Sequence, residues 1–174
     1  MIADSLRNRP GLGGRPRRRC ERVINKIACQ LQHSIEADVS LSFAWNWRTD
    51  VTTWDDPPAQ FQLDGPFASG SWGTTVLPGQ APMRWHIRDV QPGRSFVIDM
   101  PLDQAVLSFE WQFDAVADRR TRITQRIVLS GDNATAYAKQ VQETFDATLG
   151  DGMTRIADAM VRAKRSTEAN GDHN

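Results

Sequence analysis

The longest patterned stretch runs from Ala105 to Gly131, AVLSFEWQFDAVADRRTRITQRIVLSG. Leu107, Phe109, Trp111 and Phe113 alternate with Ser108, Glu110, Gln112 and Asp114. After a turn, Ile123, Ile127 and Leu129 alternate with Arg122, Thr124 and Arg126. A period of two over this length predicts two antiparallel strands with one buried and one wet face. The turn falls around Ala117-Asp118-Arg119-Arg120, where one Asp and no Gly leave its type open. Gln125 shares parity with Ile123 and Ile127, so an amide faces the apolar side.

The same alternation predicts a first strand over Ile24 to Glu36, with Ile27, Cys29, Leu31, His33 and Ile35 on one face. Asp38 is expected to cap a helix over VSLSFAWNWRTDV, where Phe43 and Trp47 share one face and Leu41 and Trp45 the next. Val51 and Trp54 continue the apolar content into a short second helix or turn, stopped by Asp55-Asp56-Pro57-Pro58. Strands follow over Ala59 to Asp64 and Ser69 to Leu77. Two more carry Met83, Trp85 and Ile87, then Phe96, Ile98 and Met100. Gly65-Pro66, Pro78-Gly79 and Pro92-Gly93 separate these strands as turns, which makes the region an antiparallel meander. Asp132 or Ser130 is expected to cap a final helix. There Ala134, Ala138, Val141, Phe145, Leu149, Met153, Ile156 and Met160 form one apolar stripe, kinked at Gly150 and Gly152.

This order predicts an α+β fold. A seven-stranded antiparallel sheet, apolar on one face, curls around the long C-terminal helix, with two short helices after the first strand. A pocket is expected where sheet and helix fail to meet. Its expected lining begins with Leu31, His33, Trp47, Trp54, Phe61 and Leu63. The central strands add Trp85, Ile87, Phe96, Ile98 and Met100, the long hairpin adds Leu107, Phe109, Trp111, Phe113 and Gln125, and the helix adds Val141 and Phe145.

Composition sharpens the ends of the domain. The chain of 174 residues has no formal net charge, yet residues 1–26 hold eight Lys/Arg against Asp4 and Glu21. Residues 1–22, with three glycines, two prolines and the run Arg17-Arg18-Arg19, bury too little apolar surface to order themselves. The reading is a disordered basic extension over 1–22, one domain over 23–165, and a disordered polar tail over 166–174. No aromatic residue is interleaved with the arginines, so no nucleic-acid partner is expected. Cys20 and Cys29 are read as free thiols of a reducing compartment. No apolar run has the length of a membrane span, so a cytoplasmic location without membrane insertion is expected. An exposed sheet edge leaves room for a homodimer.

The stretches Val51-Thr52-Thr53-Trp54-Asp55, Leu63-Asp64-Gly65-Pro66-Phe67 and Gly70-Ser71-Trp72-Gly73-Thr74 resemble those of START-like proteins. So do Val90-Gln91-Pro92-Gly93-Arg94-Ser95-Phe96, Leu107-Ser108-Phe109-Glu110-Trp111 and Thr121-Arg122-Ile123-Thr124-Gln125-Arg126. The resemblance, over residues 24–163, is to the helix-grip superfamily and its polyketide cyclase/dehydrase-like branch. It implies a cavity for a hydrophobic or amphipathic small molecule, lipid or polyketide-like, and no cofactor. Some members of that superfamily close or dehydrate polyketide rings, and a co-chaperone branch docks proteins instead.

The three histidines have no ligand spacing, so no metal is expected. Cys29 and His33 lie ~13 Å apart along a strand, too far for a nucleophile and its base. What remains for catalysis is acid–base work by groups of inward parity. The candidates are His33, Tyr137 and Gln125; Asp89, beside a turn, reads as a solvated carboxylate.

Overall fold

The computed structural model describes residues 26–171; the basic extension 1–22 lies outside them. Seven strands form one antiparallel sheet in the order β1-β7-β6-β5-β4-β3-β2. They are β1 (Ile27–Ala37), β2 (Gln60–Asp64), β3 (Trp72–Val76), β4 (Met83–Gln91), β5 (Ser95–Leu102), β6 (Ala105–Ala117) and β7 (Arg120–Ser130). Helix α1 (Leu41–Thr49) and a 3-10 turn (Val51–Thr53) follow β1, and α2 (Thr135–Phe145) and α3 (Leu149–Gly171) close the chain. The α+β grip expected from the pattern is therefore present. The curved sheet wraps the C-terminal helix, which packs chiefly on β1.

The long hairpin keeps the register its alternation demands. Leu107 pairs with Leu129, Phe109 with Ile127, Trp111 with Gln125 and Phe113 with Ile123. Asp118 and Arg119 make the two-residue turn, and a bulge at Val116 absorbs the twist next to it. The wet face carries cross-strand ion pairs, Arg126 to Glu110 at 2.6 Å and Arg122 to Glu36 at 2.8 Å. On the concave face Phe96, Leu107, Phe113, Ile123, Ile127 and Leu129 meet Met153 and Met160 of α3, all fully buried. A Cβ on Gly73 would lie 2.1 Å from the Trp85 ring, so glycine there is what lets the indole lie flat on β3.

Four local details differ from the sequence expectations. Ser40, not Asp38, caps α1, accepting from the Phe43 amide at 3.3 Å. Asp38 instead accepts from Arg120, so the acid is drawn to the sheet and the nearer hydroxyl takes the orphan amide. The final helix has Ala134 at its start with no side-chain cap, in place of Asp132 or Ser130. Its break falls at residues 146–148, ahead of Gly150 and Gly152, which lie in the first turn of α3. Gly150 allows close approach: a Cβ there would sit 3.4 Å from His33 Cε1. Finally, α3 continues to Gly171 through the residues assigned to a tail, where Ser166 and Thr167 hydroxyls donate to carbonyls one turn back and Glu168 pairs with Lys164 and Arg119.

Candidate functional site

The expected cavity lining divides in two. Trp85, Ile87, Phe96, Ile98, Leu107, Trp111, Phe113 and Val141 are buried and make the core itself. Leu31, Trp47, Trp54, Leu63, Met100, Phe109 and Phe145 pack against that core but stay half-buried, and half-buried Phe61 packs on Trp54, so they form its rim. A surface cavity of about 410 Å³ lies elsewhere, at the far end of α3, lined by Asp38, Arg120, Lys164, Arg165 and Glu168 among others. It is polar and largely ion-paired, with Arg120 on Asp38 and Lys164 on Glu168.

The three candidates for acid–base work do not converge. His33 has the parity of the apolar residues but is exposed at the edge strand, beneath the first turn of α3. Tyr137 is buried among the core residues of α2. Gln125 is half-buried and sits directly between His33 of β1 and Trp111 of β6 in the sheet register. No hydrogen bond joins any two of the three among the described residues. Asp89 is exposed beside Arg88, at φ 53 in the bulge of β4, as a solvated carboxylate should be. Cys29 is a free thiol, and the described residues hold no cluster of His, Cys, Asp or Glu suited to a metal. No helix among them is long and apolar enough to cross a membrane.

The unusual group of the interior is Arg48, in the last turn of α1. It is 9% exposed. Its guanidinium carbon lies 4.3 Å from the centre of the Trp54 ring and 4.2 Å from that of Trp111. No ion pair among the described residues includes it, and its Nε is buried without a hydrogen-bond partner. Burial pulls its pKa well below the usual arginine value, down to about 9, which still leaves it cationic at neutral pH. Arg88, on the outer face, shows the opposite. Burial pulls it down as well, but its bonds to Asp99 and Asp89 outweigh that and hold its pKa above the usual arginine value.

Local sequence builds this arrangement. The Thr53 hydroxyl donates to the Trp47 carbonyl at 2.7 Å, and Trp54 Nε1 donates to the Arg48 carbonyl at 2.9 Å. The last carbonyls of α1 are thus satisfied by the turn that follows, which folds the Trp54 ring back over the Arg48 side chain. Trp54 in turn packs on Phe61 and Trp85, with ring centres 5.4 and 5.6 Å away. Trp45 and Phe67 wedge against Phe96 beside them. The sequence pattern passes over Arg48 because a charged residue at a helix end reads as solvated. The available signal was its four-residue spacing from Ala44, the other buried position of α1, in a segment carrying three tryptophans.

No family model matches the chain, and no curated protein matches it. Solved structures do match in fold. Norcoclaurine synthase from Thalictrum flavum, in complex with dopamine and hydroxybenzaldehyde, is 14% identical over 91% of this chain and 97% of its own, with a TM-score of 0.61. Ara h 8.0201 is 13% identical over 79% of this chain and 98% of its own, with a TM-score of 0.59. A Nitrosomonas europaea protein is 14% identical over 78% and 96%, also with a TM-score of 0.59. These likenesses show a helix-grip fold.

Proposed function

We propose that the protein binds a hydrophobic or amphipathic small molecule on the concave side of its grip, between the sheet, α1 and the C-terminal helices. The observation that carries this reading is the half-buried aromatic rim of Trp47, Trp54 and Phe61, continuous with the buried Trp85 and Trp111. Large rings left partly wet beside a closed core are area that an apolar ligand covers with gain. The fold is also that of a synthase solved with two aromatic ligands, which supports the reading by analogy alone. Native mass spectrometry of freshly purified protein tests it, together with thermal shift and Trp quenching by apolar probes. A co-purifying molecule or a saturable shift is expected. A clean mass, no shift, and a protein partner in their place would refute it.

A second reading, a cyclase or dehydratase of the polyketide type, draws on the register row His33–Gln125–Trp111. An imidazole and an amide of the same parity as the apolar residues support it. His33→Ala and Tyr137→Phe would then abolish turnover of a polyketide-like substrate while leaving probe binding nearly intact.

A further inference from the structure

Arg48 calls for an explanation that packing does not supply. A cation removed from water is costly unless an anion or a set of acceptors replaces the water. Elsewhere in this chain the rule is obeyed: Arg84 meets Asp64, Arg88 meets Asp99 and Asp89, Arg122 meets Glu36 and Arg126 meets Glu110. These pairs lie on the outer face, where water already softens the cost. The one arginine placed in the aromatic interior has no carboxylate and a buried Nε without an acceptor. The two indoles compensate its charge in part, through their π faces, but they accept none of its N–H groups.

We propose that Arg48 receives the carboxylate of an amphipathic acid whose apolar body lies along the Trp54–Phe61 rim. This rests on the grip-side binding proposed above and names the chemistry of the ligand's polar end. The chemistry of the site favours one anion. Two indole rings lie with their centres 4.2 and 4.3 Å from the guanidinium carbon and accept none of the N–H groups along its edge. The edge presents coplanar N–H donors that match the two coplanar oxygens of a carboxylate. A phosphate brings a second charge and a third oxygen into aromatic surroundings that compensate them poorly. Gln125 lies opposite Trp111 in the sheet, its side-chain amide in no hydrogen bond among the described residues, and offers an amide donor on the same row. Trp54, hydrogen-bonded to the carbonyl of Arg48, is both the cover of the guanidinium and the start of the apolar rim. One ligand spanning both would neutralise the charge and cover the rings together.

The test uses the full chain and three probes of equal chain length at neutral pH, decanoate, decanol and decyl phosphate, titrated by Trp fluorescence and calorimetry. Wild type is expected to bind decanoate about 10- to 100-fold more tightly than decanol, the range of a charge-assisted hydrogen-bonded pair, and more tightly than decyl phosphate. In Arg48→Met the decanoate advantage disappears while decanol affinity stays within about threefold. Arg48→Lys, which keeps the charge and loses the fork, retains only part of the advantage. Equal binding of decanoate and decanol by wild type overturns the carboxylate site and leaves the grip reading intact. Tighter binding of decyl phosphate overturns the choice of anion. Failure of all three probes to bind removes the grip reading and this inference with it. The wild-type comparison needs no variant, so it decides even where a substitution perturbs folding.

Discussion

Replacing Arg48 by methionine should make the protein more stable. The fall of its pKa from the ordinary arginine value to about 9, at about 1.4 kcal/mol for each pH unit, corresponds to a burial cost on the order of 5 kcal/mol for the charged form. Against this stand the contacts with Trp54 and Trp111, about 1–2 kcal/mol each when desolvated. Methionine keeps most of the stem's packing and can lie against both indoles. The net expectation for Arg48→Met is a gain of about 1–3 kcal/mol, in line with buried charges replaced by apolar groups of similar shape. Urea unfolding at neutral pH, followed by far-UV circular dichroism so that altered indole emission does not confuse the signal, measures it. A loss above about 1 kcal/mol at unchanged denaturant slope would refute the reasoning, since it would mean that the charge is compensated in the folded state.

The same substitution has a signature in pH. The folded-state pKa of Arg48 lies below its unfolded value. Below about pH 9 both states carry the proton, and the folded state bears the full cost. Between about 9 and the ordinary arginine value the unfolded chain holds a proton that the folded chain has released, so wild-type stability rises with pH in that window. Groups that titrate alike in both proteins cancel in the difference. The advantage of Arg48→Met should therefore shrink by about 2 kcal/mol between roughly pH 8 and pH 10.5. A difference that stays flat across this range sinks the assignment of the effect to the guanidinium.

Three other substitutions probe the elements around it. Gly73→Ala places a Cβ 2.1 Å from Trp85 and should cost about 1–3 kcal/mol in urea unfolding, with a shift in Trp emission as the indole Nε1 loses its 3.1 Å bond to the Thr75 hydroxyl. Thr121→Val removes the donor to the Val39 carbonyl, a buried bond of 2.9 Å, and should cost about 1–3 kcal/mol, because the carbonyl stays buried without it; an unchanged midpoint would show that water reaches Val39. Gln125→Leu should stabilise by about 1 kcal/mol, by putting apolar surface in place of a half-buried amide, and should weaken decanoate binding; stabilisation with unaltered decanoate affinity removes Gln125 from the ligand site.

The architecture was legible because alternation is a local signal. Each strand of the meander shows its own period of two, and Pro-Gly turns mark the boundaries, so strand count, pairing and the covering helix follow from short windows. Caps were less legible. Ser40 and Asp38 both suit an N-cap, and the choice fell to Arg120, a residue 82 positions from Asp38 that draws the acid away. The break in the C-terminal helix was assigned to its glycines by propensity, but it falls ahead of them, at residues 146–148, and Gly150 lies inside α3 beside the His33 ring of β1. Parity put His33, Gln125 and Trp111 each on the apolar side of its own strand, and the register sets them side by side. Parity does not say how far the covering helix reaches, so the exposure of His33 at the edge strand was out of its range. Arg48 was hidden for a related reason. Burial of a charge is set by what folds over it, and that is Trp54, returning through a 3-10 turn.

The two arginines of opposite behaviour bear on what the interior is for. Arg88 is held by Asp99 and Asp89, so its charge contributes to the folded state as it stands. Arg48 has no such partner, and a methionine in its place would pack between the same rings without the burial cost. A charge that lowers the stability of the free protein gains its return when an anion binds, because a ligand that binds only the folded state stabilises it by mass action. Decanoate at about one hundred times its dissociation constant should raise the stability of wild type by about 2.7 kcal/mol. At the same concentration it should raise Arg48→Met by no more than decanol does. The two proteins, unequal when free, would then approach equal stability when loaded. If decanoate instead stabilises both to the same extent, the guanidinium takes no part in binding, and its place between Trp54 and Trp111 is that of a clamp holding α1 to the sheet.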